Sequence, residues 1–245
     1  MGEGVSVTRH TQASTPSREV AVFDLDGTLL SGDAFGLFLA HLLRRPPARA
    51  VAALATAPVW LPAFLLTPTR LAAERYLVWL AAVGISPQDF TVKAAHFAAD
   101  HADPRSGRAT PTVLARLREH QGRGDRVVVA TGCASPLAEH LCDALGLGDV
   151  EVVASTLTRT RWGLPRAVPA RGRGKVRALA AAGVSLPVDH AYTDSWTDLP
   201  LLRAARVAHV VNASPRHLRR FRRALGGDVD VMATTRYRRA PSRER

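Results

Sequence analysis

Two aspartates stand at the end of a short apolar segment near the amino terminus. The segment 20–25 is mostly apolar and contains β-branched side chains. Asp24 and Asp26 stand at its end, and Gly27 and Thr28 follow. Paired carboxylates at the end of a strand can hold a divalent cation, exchange protons with a bound molecule or attack an electrophile. An acidic turn that only closes a strand is the structural alternative, so this motif alone does not establish a chemistry.

Further polar residues with catalytic potential recur later in the chain. Thr131 ends a second apolar segment, and Asp194 and Asp198 follow a third, in the run YTDSWTDLP. Lys175 is the first residue of a predicted helix that follows a loop of glycine and arginine. Lys93 is the only other lysine of the sequence. Since this chain otherwise uses arginine, a lysine at this point indicates a role for a compact point charge.

A sheet with flanking helices would bring these residues together. Strand-like and helix-like segments alternate, which predicts an α/β fold: a doubly wound, Rossmann-like parallel sheet with an inserted helical cap. Ligands bind at the carboxyl ends of the strands in such sheets, and the candidate residues fall at such ends. The predicted strands are 20–25, 126–130, 150–154, 191–193 and, as the last strand, 207–211; the predicted helices are 112–120, 136–145, 175–182 and 215–225.

With Asp24, Thr131, Lys175 and Asp194 in this order, the chain resembles the haloacid dehalogenase superfamily over about residues 20–223. The form DSxxDLPLL after the third segment, and the cap directly after the first motif, resemble its phosphoserine-phosphatase-like branch. The resemblance implies a phosphatase that requires Mg²⁺. An aspartate at position 26 implies phosphatase or phosphotransferase chemistry, because dehalogenases of the family lack an acid there.

The resemblance also implies a role for each residue. Asp24 is the expected nucleophile that forms an aspartyl-phosphate, and Asp26 is the expected general acid and base. Mg²⁺ is expected on the side chains of Asp24 and Asp194 and on the backbone carbonyl of Asp26. Lys175 would neutralise charge at the phosphate, and Asp198 would orient Lys175 or a water molecule on the metal. The expected phosphate-binding residues are Gly27, Thr28, Thr131, Gly132 and Lys175.

Composition limits the compartment and the partners. The 245 residues are 47% hydrophobic and carry a formal net charge of +12, nearly all of the positive charge from arginine. Such a balance favours polyanions, although arginine-rich codon usage would also produce it. Cys133 and Cys142 match no disulfide or metal pattern, which favours a reducing compartment. We expect a loose tail without a secretory signal at 1–19, a phosphatase core at 20–32 and 109–226, an apolar helical cap at 33–108, and a basic tail at 227–245.

The predicted cap contains a stretch of membrane-like composition. Residues 50–69 carry no charge and are interrupted by prolines. A single membrane crossing is excluded, since it would separate Asp24 from Thr131, Lys175 and Asp194. The stretch would therefore form a hairpin, re-enter, or lie in the interface, with apolar residues such as Trp60 entering the lipid. The flanking basic residues Arg44, Arg45, Arg49, Arg70 and Arg75 would meet an anionic surface. A soluble cap that buries its apolar residues against the core or a second subunit is the alternative.

Several segments are similar to the phosphatidylglycerophosphatase C family of bacteria, namely VFDLDGTLLSGDAFGLFLAHLLRRPP, TGCASPLAE, GRGKVRAL and YTDSWTDLPLL. This similarity implies a phosphorylated lipid as substrate and a location at the cytoplasmic face of the cell membrane. A soluble, cytoplasmic phosphatase for a small metabolite such as phosphoserine is the alternative. A basic binding protein without activity is a third hypothesis, which the intact motif set disfavours along with nucleic acid as a partner. The oligomeric state is left open.

Overall fold

A computed structural model describes residues 18–159, 165–168, 170–226 and 229–233. Only the backbone is described for residues 65, 67, 68, 70 and 71 of the cap and for residues 157–159 and 165–168. The expectations for the tail at 1–17, for residues 234–245 and for the Arg70 side chain therefore lie outside the described residues.

One seven-stranded sheet forms the centre of the molecule, in the order β4-β3-β2-β1-β5-β6-β7. All neighbouring strands are parallel except β3 and β4, which pair antiparallel. After β1 the chain adds β2, β3 and β4 on one side of that strand, and then β5, β6 and β7 on its other side. The strand order therefore reverses between β1 and β5. The strands are β1 (Val20–Phe23), β2 (Arg126–Ala134), β3 (Glu151–Arg159), β4 (Pro165–Val168), β5 (Val188–Thr193), β6 (Ala205–Val211) and β7 (Asp230–Met232).

Alternating side chains of the central strands enter two separate apolar cores. Ala21 and Phe23 of β1 lie in one core, and Val22 lies in the other. The first core contains residues of α6 (Pro111–Arg123) and α7 (Ser135–Ala144), and the second contains residues of α8 (Arg173–Ala181), α9 (Leu199–Arg203) and α10 (Pro215–Leu225). Because both faces of β1 are buried, its sequence reads as a continuous apolar run rather than an alternating one. The predicted doubly wound α/β fold is confirmed.

Five helices form the cap between β1 and α6. They are α1 (Ala34–Arg44), α2 (Pro47–Ala55), α3 (Ala57–Leu65), α4 (Thr67–Ala82) and α5 (Pro87–His101). Phe38 of α1 and Ala94 of α5 belong to the same apolar core as α6 and α7, so these two helices anchor the cap on the sheet domain. Within the described part of the chain, no helix is both long enough and apolar enough to span a bilayer.

The structure differs from the predicted elements at two edges of the sheet. β4 was not predicted, and neither was β7, which lies in the segment expected to be a basic tail. Val229 is buried in the second core, and β7 pairs with β6 from His209 to Val211. The strand at residues 205–211 is therefore not the last one of the sheet.

Candidate active site

The loop after β1 presents two carboxylates at the carboxyl edge of the sheet. Gly27 has a φ of +80°, which lets the chain turn back so that its N–H reaches the Leu30 carbonyl at 2.6 Å. The side chains of Leu25, Leu29 and Leu30 are fully buried in the first apolar core and so anchor the turn on it. This loop places the catalytic side chains at the topological switch point, where open parallel sheets bind their ligands.

Lys175 lies between two carboxylates in the interior. Its Nζ donates to Asp24 Oδ1 at 2.8 Å and to Asp198 Oδ2 at 2.5 Å. Asp198 Oδ2 also accepts a hydrogen bond from Thr193 Oγ1 at 3.1 Å, which fixes the carboxylate. Burial acts against the charge on Lys175, but the two carboxylates outweigh it and raise its pKa. Lys175 therefore remains a cation beside Asp24, and Asp198 holds it in place as expected.

Asp26 is a half-buried acid beside the start of the cap. Its Oδ1 accepts a hydrogen bond from the Ala34 N–H, the first residue of α1, at 2.8 Å. Burial raises the pKa of Asp26 to about 7, with a smaller contribution from the charge of Asp24. A carboxyl group with such a pKa can both donate and accept a proton near neutral pH. The hydrogen bond also links this acid to the first turn of the cap.

Asp194 offers an oxygen that the described residues leave unsatisfied. It follows β5 directly, and its Oδ1 is buried without a hydrogen-bond partner among those residues. Burial and the neighbouring Asp24 raise its pKa to about 7. A Cβ on Gly27 would lie 2.1 Å from Asp194 Oδ2, so only glycine lets the two loops meet this closely. An unpaired carboxylate beside Asp24 fits a hard cation such as Mg²⁺, which prefers oxygen ligands.

Thr28 and Thr131 connect the loops around the carboxylates. Thr28 is fully buried, and its Oγ1 accepts the Asp194 N–H at 3.1 Å. Thr131 is also buried, and its Oγ1 accepts the Cys133 N–H at 3.0 Å where the register between β2 and β3 shifts. Such a shift re-aims side chains next to a site. Contacts of Thr28, Thr131, Gly27 and Gly132 with a phosphate stay predictions.

A cavity of about 340 Å³ opens between the cap and the sheet domain beside Thr131. Most of its wall is apolar and comes from the cap helices, while Gly132 and Ser155 line it on the side of the sheet. The apolar lining comprises Phe35, Leu39, Ala40, Leu43, Trp60, Phe64, Leu77 and Val78. Trp60 is half-buried: its ring forms part of the cavity wall and its Nε1 donates to the Ala53 carbonyl at 2.9 Å, while its entry into lipid stays a prediction.

Contacts between distant residues at this cavity were not predicted from the sequence. Arg171 Nη1 lies 3.5 Å from Glu74 Oε1 of α4, so an ion pair joins the core to the cap. Ser155 Oγ donates to the Gly132 carbonyl at 2.8 Å and accepts from the Ala170 N–H at 2.8 Å. No local motif marks these residues, because their partners are remote in the sequence. Only an alignment of related sequences could have indicated them.

A different group of possible metal ligands lies at the opposite edge of the sheet. Side-chain atoms of Glu19, His120 and Asp125 lie within 4.8 Å of one another. Arg123 occupies this cluster, since its Nε donates to Asp125 at 3.1 Å and its Nη2 lies 2.7 Å from His120 Nδ1. The Arg123 guanidinium already offsets one of the two carboxylates there, so this cluster is a weaker cation site, and a cation at Asp24, Asp26 and Asp194 stays a prediction.

Comparisons with known proteins agree with this geometry. The family of haloacid dehalogenase-like hydrolases matches residues 21–203. A solved protein of unknown function from Bordetella pertussis Tohama I is 26% identical, with 88% of this chain and 98% of that chain covered at a TM-score of 0.68. Cytosolic 5′-nucleotidase IIIB bound to cytidine is 11% identical, with 89% and 81% covered at a TM-score of 0.58. A phospho-aspartyl intermediate analogue of phosphoserine phosphatase is 16% identical, with 89% and 94% covered at a TM-score of 0.54.

Proposed function

Because the chain belongs to the haloacid dehalogenase-like hydrolase family, we propose that it is a Mg²⁺-dependent phosphatase that forms an aspartyl-phosphate on Asp24. A carboxylate oxygen of Asp24 attacks phosphorus as the bond from phosphorus to the ester oxygen breaks, and Asp26 gives its proton to that oxygen. In the second half-reaction Asp26 takes a proton from water. The water oxygen then bonds to phosphorus, the bond to Asp24 breaks, and phosphate leaves.

The charges at the site determine what must accompany the substrate. Lys175 offsets one carboxylate, while Asp24, Asp194 and Asp198 together offer three. Mg²⁺ held by Asp24, Asp194 and the Asp26 carbonyl would supply the remaining positive charge when the dianionic phosphate enters. Lys175 keeps its own charge beside Asp24 throughout, because Asp198 holds its Nζ.

The apolar cavity beside the site supports a lipid phosphate as substrate. Its volume of about 340 Å³ suits a hydrocarbon segment, and Gly132, next to Thr131, is one of its lining residues. Arg75 also lines it and would meet a second anionic group near the reacting phosphate, whereas Arg171 already pairs with Glu74 in the same wall. Phosphatidylglycerophosphate carries both features, an acyl part and a phosphodiester beside its terminal phosphate. A phosphorylated phospholipid is therefore the substrate class that we propose.

The outer surface of the cap supports action at an anionic membrane. Val51, Leu54 and Val59 are 66%, 77% and 77% exposed on α2 and α3, and Leu61 and Leu66 are exposed beside them. Side chains of this kind stabilise a protein in the bilayer interface when they enter it. We place the enzyme at the cytoplasmic face of the membrane, in line with its resemblance to a lipid phosphatase family.

The chemistry is tested with metal and a phosphate mimic. Phosphate release should require Mg²⁺, stop in excess chelator, and be blocked by beryllofluoride in the presence of Mg²⁺. Beryllofluoride on a carboxylate imitates an aspartyl-phosphate, so its effect reports on the nucleophile. Full activity in excess chelator would contradict the assignment.

The substrate class is tested by phosphate release from phosphatidylglycerophosphate, phosphatidic acid, phosphoserine and sugar phosphates. Lipid phosphates should be the best substrates. Ala40→Phe would fill part of the cavity and should raise KM for the lipid by at least ~10-fold, while p-nitrophenyl phosphate is still hydrolysed. Leu37→Phe, on the exposed side of the same helix, is the control. If phosphoserine is the best substrate and Ala40→Phe changes nothing, the enzyme is a soluble metabolite phosphatase instead.

A further inference from the structure

Helix α10 carries a row of arginines along one face. Arg216, Arg219, Arg220 and Arg223 stand at helical spacing i, i+3, i+4 and i+7, and all four are exposed. The helix contains no acidic residue. No ion pair of the described part of the chain involves any of the four, so this charge is left for an external anion.

The arginine face is built against the catalytic loop. Trp196, two residues after Asp194, packs against the buried Phe221 at 5.1 Å between ring centroids. The guanidinium of Arg220 lies 3.8 Å from the centroid of the Trp196 ring. Trp196 and the arginines together line an open depression on the surface. The face thus packs on the loop that bears Asp194.

Topology places the start of this face at the edge of the sheet where the reaction occurs. β6 runs parallel to β5 and ends at Val211, and α10 begins at Pro215. The first residues of α10 therefore lie at the carboxyl edge, as Asp24 and Asp194 do. An anionic surface bound by the amino-terminal arginines would lie next to the entrance of the active site.

We propose that this arginine face, defined by Arg216, Arg219, Arg220 and Arg223, binds the headgroups of an anionic lipid bilayer and so holds the catalytic edge of the sheet at the membrane. This proposal rests on the proposed lipid substrate, and it adds the surface by which the enzyme would bind the membrane that contains this substrate. The cap supplies an apolar contact that salt does not screen, whereas α10 supplies an electrostatic contact that salt does screen.

A bilayer fits this face better than a nucleic acid does. Single-stranded nucleic acids bind through exposed aromatic rings on which bases stack. The ring of Trp196 is half-buried, and Arg220 and Phe221 already pack on it. The arginines remain as point contacts for phosphate groups, which a lipid surface presents at high density beside the site.

The test is co-sedimentation with vesicles of phosphatidylglycerol and phosphatidylcholine. Arg216→Gln/Arg219→Gln/Arg223→Gln should lower the partition coefficient by about 100-fold at low salt, since each basic residue near an anionic surface contributes roughly fivefold. Arg116→Gln/Arg118→Gln/Arg177→Gln removes the same charge from α6 and α8 and should lower it far less. Hydrolysis of p-nitrophenyl phosphate should be unchanged in both variants, which shows that they are folded.

Equal binding of the two variants would overturn the proposal, as would binding that salt does not weaken. Salt-sensitive binding of wild type to single-stranded RNA, without binding to vesicles, would also overturn it and assign the face to nucleic acid. Failure of the proposed lipid substrate is separately visible. Phosphatidylglycerophosphate dispersed in detergent would then not be hydrolysed by wild type, whatever the vesicles show.

Discussion

Asp24, Lys175 and Asp198 form a buried chain of alternating charge. The Nζ of Lys175 contacts both carboxylates, and all three side chains are almost fully buried. Burial raises the pKa of Asp24 despite its contact with Lys175. A second positive charge near Asp24 would reverse this effect and keep the carboxylate ionised. The nucleophile is therefore expected to be fully competent only when the cation is bound.

Replacing the nucleophile tests this arrangement most directly. Asp24→Asn keeps the size of the side chain but removes both the attacking oxygen and a metal ligand, so turnover should be abolished. Asp26→Asn should lower kcat by at least ~10², because the leaving oxygen loses its acid. Circular dichroism should show both variants folded. Activity of Asp24→Asn near that of wild type on every accepted phosphate ester would contradict the mechanism.

At the scale of single residues, the sequence predicted the groups whose type is unusual for their position. Asp24, Asp26 and Lys175 stand out because charged residues follow or enter apolar segments, and the structure brings them together. Arg171 and Glu74 did not stand out, since arginine is common in this chain and the pair is separated by 97 positions. Residues that function through a distant partner carry no local signal.

At the scale of elements, the loops after β1 and β5 depend on one glycine. The backbone at Gly27 has a positive φ, and the Asp194 carboxylate occupies the space in which a Cβ would lie. The hydrogen bond from the Asp194 N–H to Thr28 Oγ1 holds the same two loops together. The position of the Asp194 carboxylate relative to the loop after β1 is therefore set by the packing of these loops.

Gly27→Ala should displace Asp194 and abolish most of the activity. The positive φ alone costs an alanine about 1–2 kcal/mol, and the contact with Asp194 adds to that cost. Gly124→Ala is the matched control, because Gly124 has a φ of +79° but no heavy atom within 4 Å of its Cβ position. In urea unfolding it should lose only the stability that the positive φ costs, and it should keep its kcat. Equal loss of activity in both variants would show that Asp194 is not displaced.

The central elements could be predicted from the sequence, and the edges could not. β1 and β2 begin where they were predicted, because continuous apolar runs mark strands that are buried on both faces. α10 has the predicted bounds, because Pro215 at its first position and Gly226 after its last residue delimit it. β7 has only three residues, and its pairing with β6 rather than its own pattern makes it a strand. The position of Trp60 in the cavity wall could not be predicted, because a charge-free helix does not show which of its sides faces a cavity and which stays exposed.

At the scale of the whole molecule, a histidine cluster joins helix α6 to the neighbouring strands β5 and β6. His120 Nε2 lies 2.9 Å from the Tyr192 hydroxyl, and His190 Nδ1 lies 2.9 Å from His209 Nε2. The Tyr192 and His209 rings stack at 4.0 Å. The charged groups that face the cluster are Glu19, Arg116, Arg123, Asp125 and Asp230. A proton added here must enter a packed interior.

Acid should therefore destabilise the fold through this cluster. Burial lowers the pKa of both His120 and His209, despite the opposing effects of Asp125 and Asp230. The unfolded chain then binds more protons than the folded chain once the pH falls below about 6.5, so the stabilisation is fully present above that pH and is lost as the pH falls.

The raised pKa values of Asp26 and Asp194 act in the opposite direction over the same pH range. The measurement is therefore the difference in urea-unfolding free energy between wild type and His120→Asn/His209→Asn, in which the carboxylate contribution cancels. The stability of wild type relative to the variant should decrease from pH 7.5 to pH 5.5. A difference that stays constant, or grows as the pH falls, would show that these histidines are protonated as readily in the folded chain as in the unfolded one.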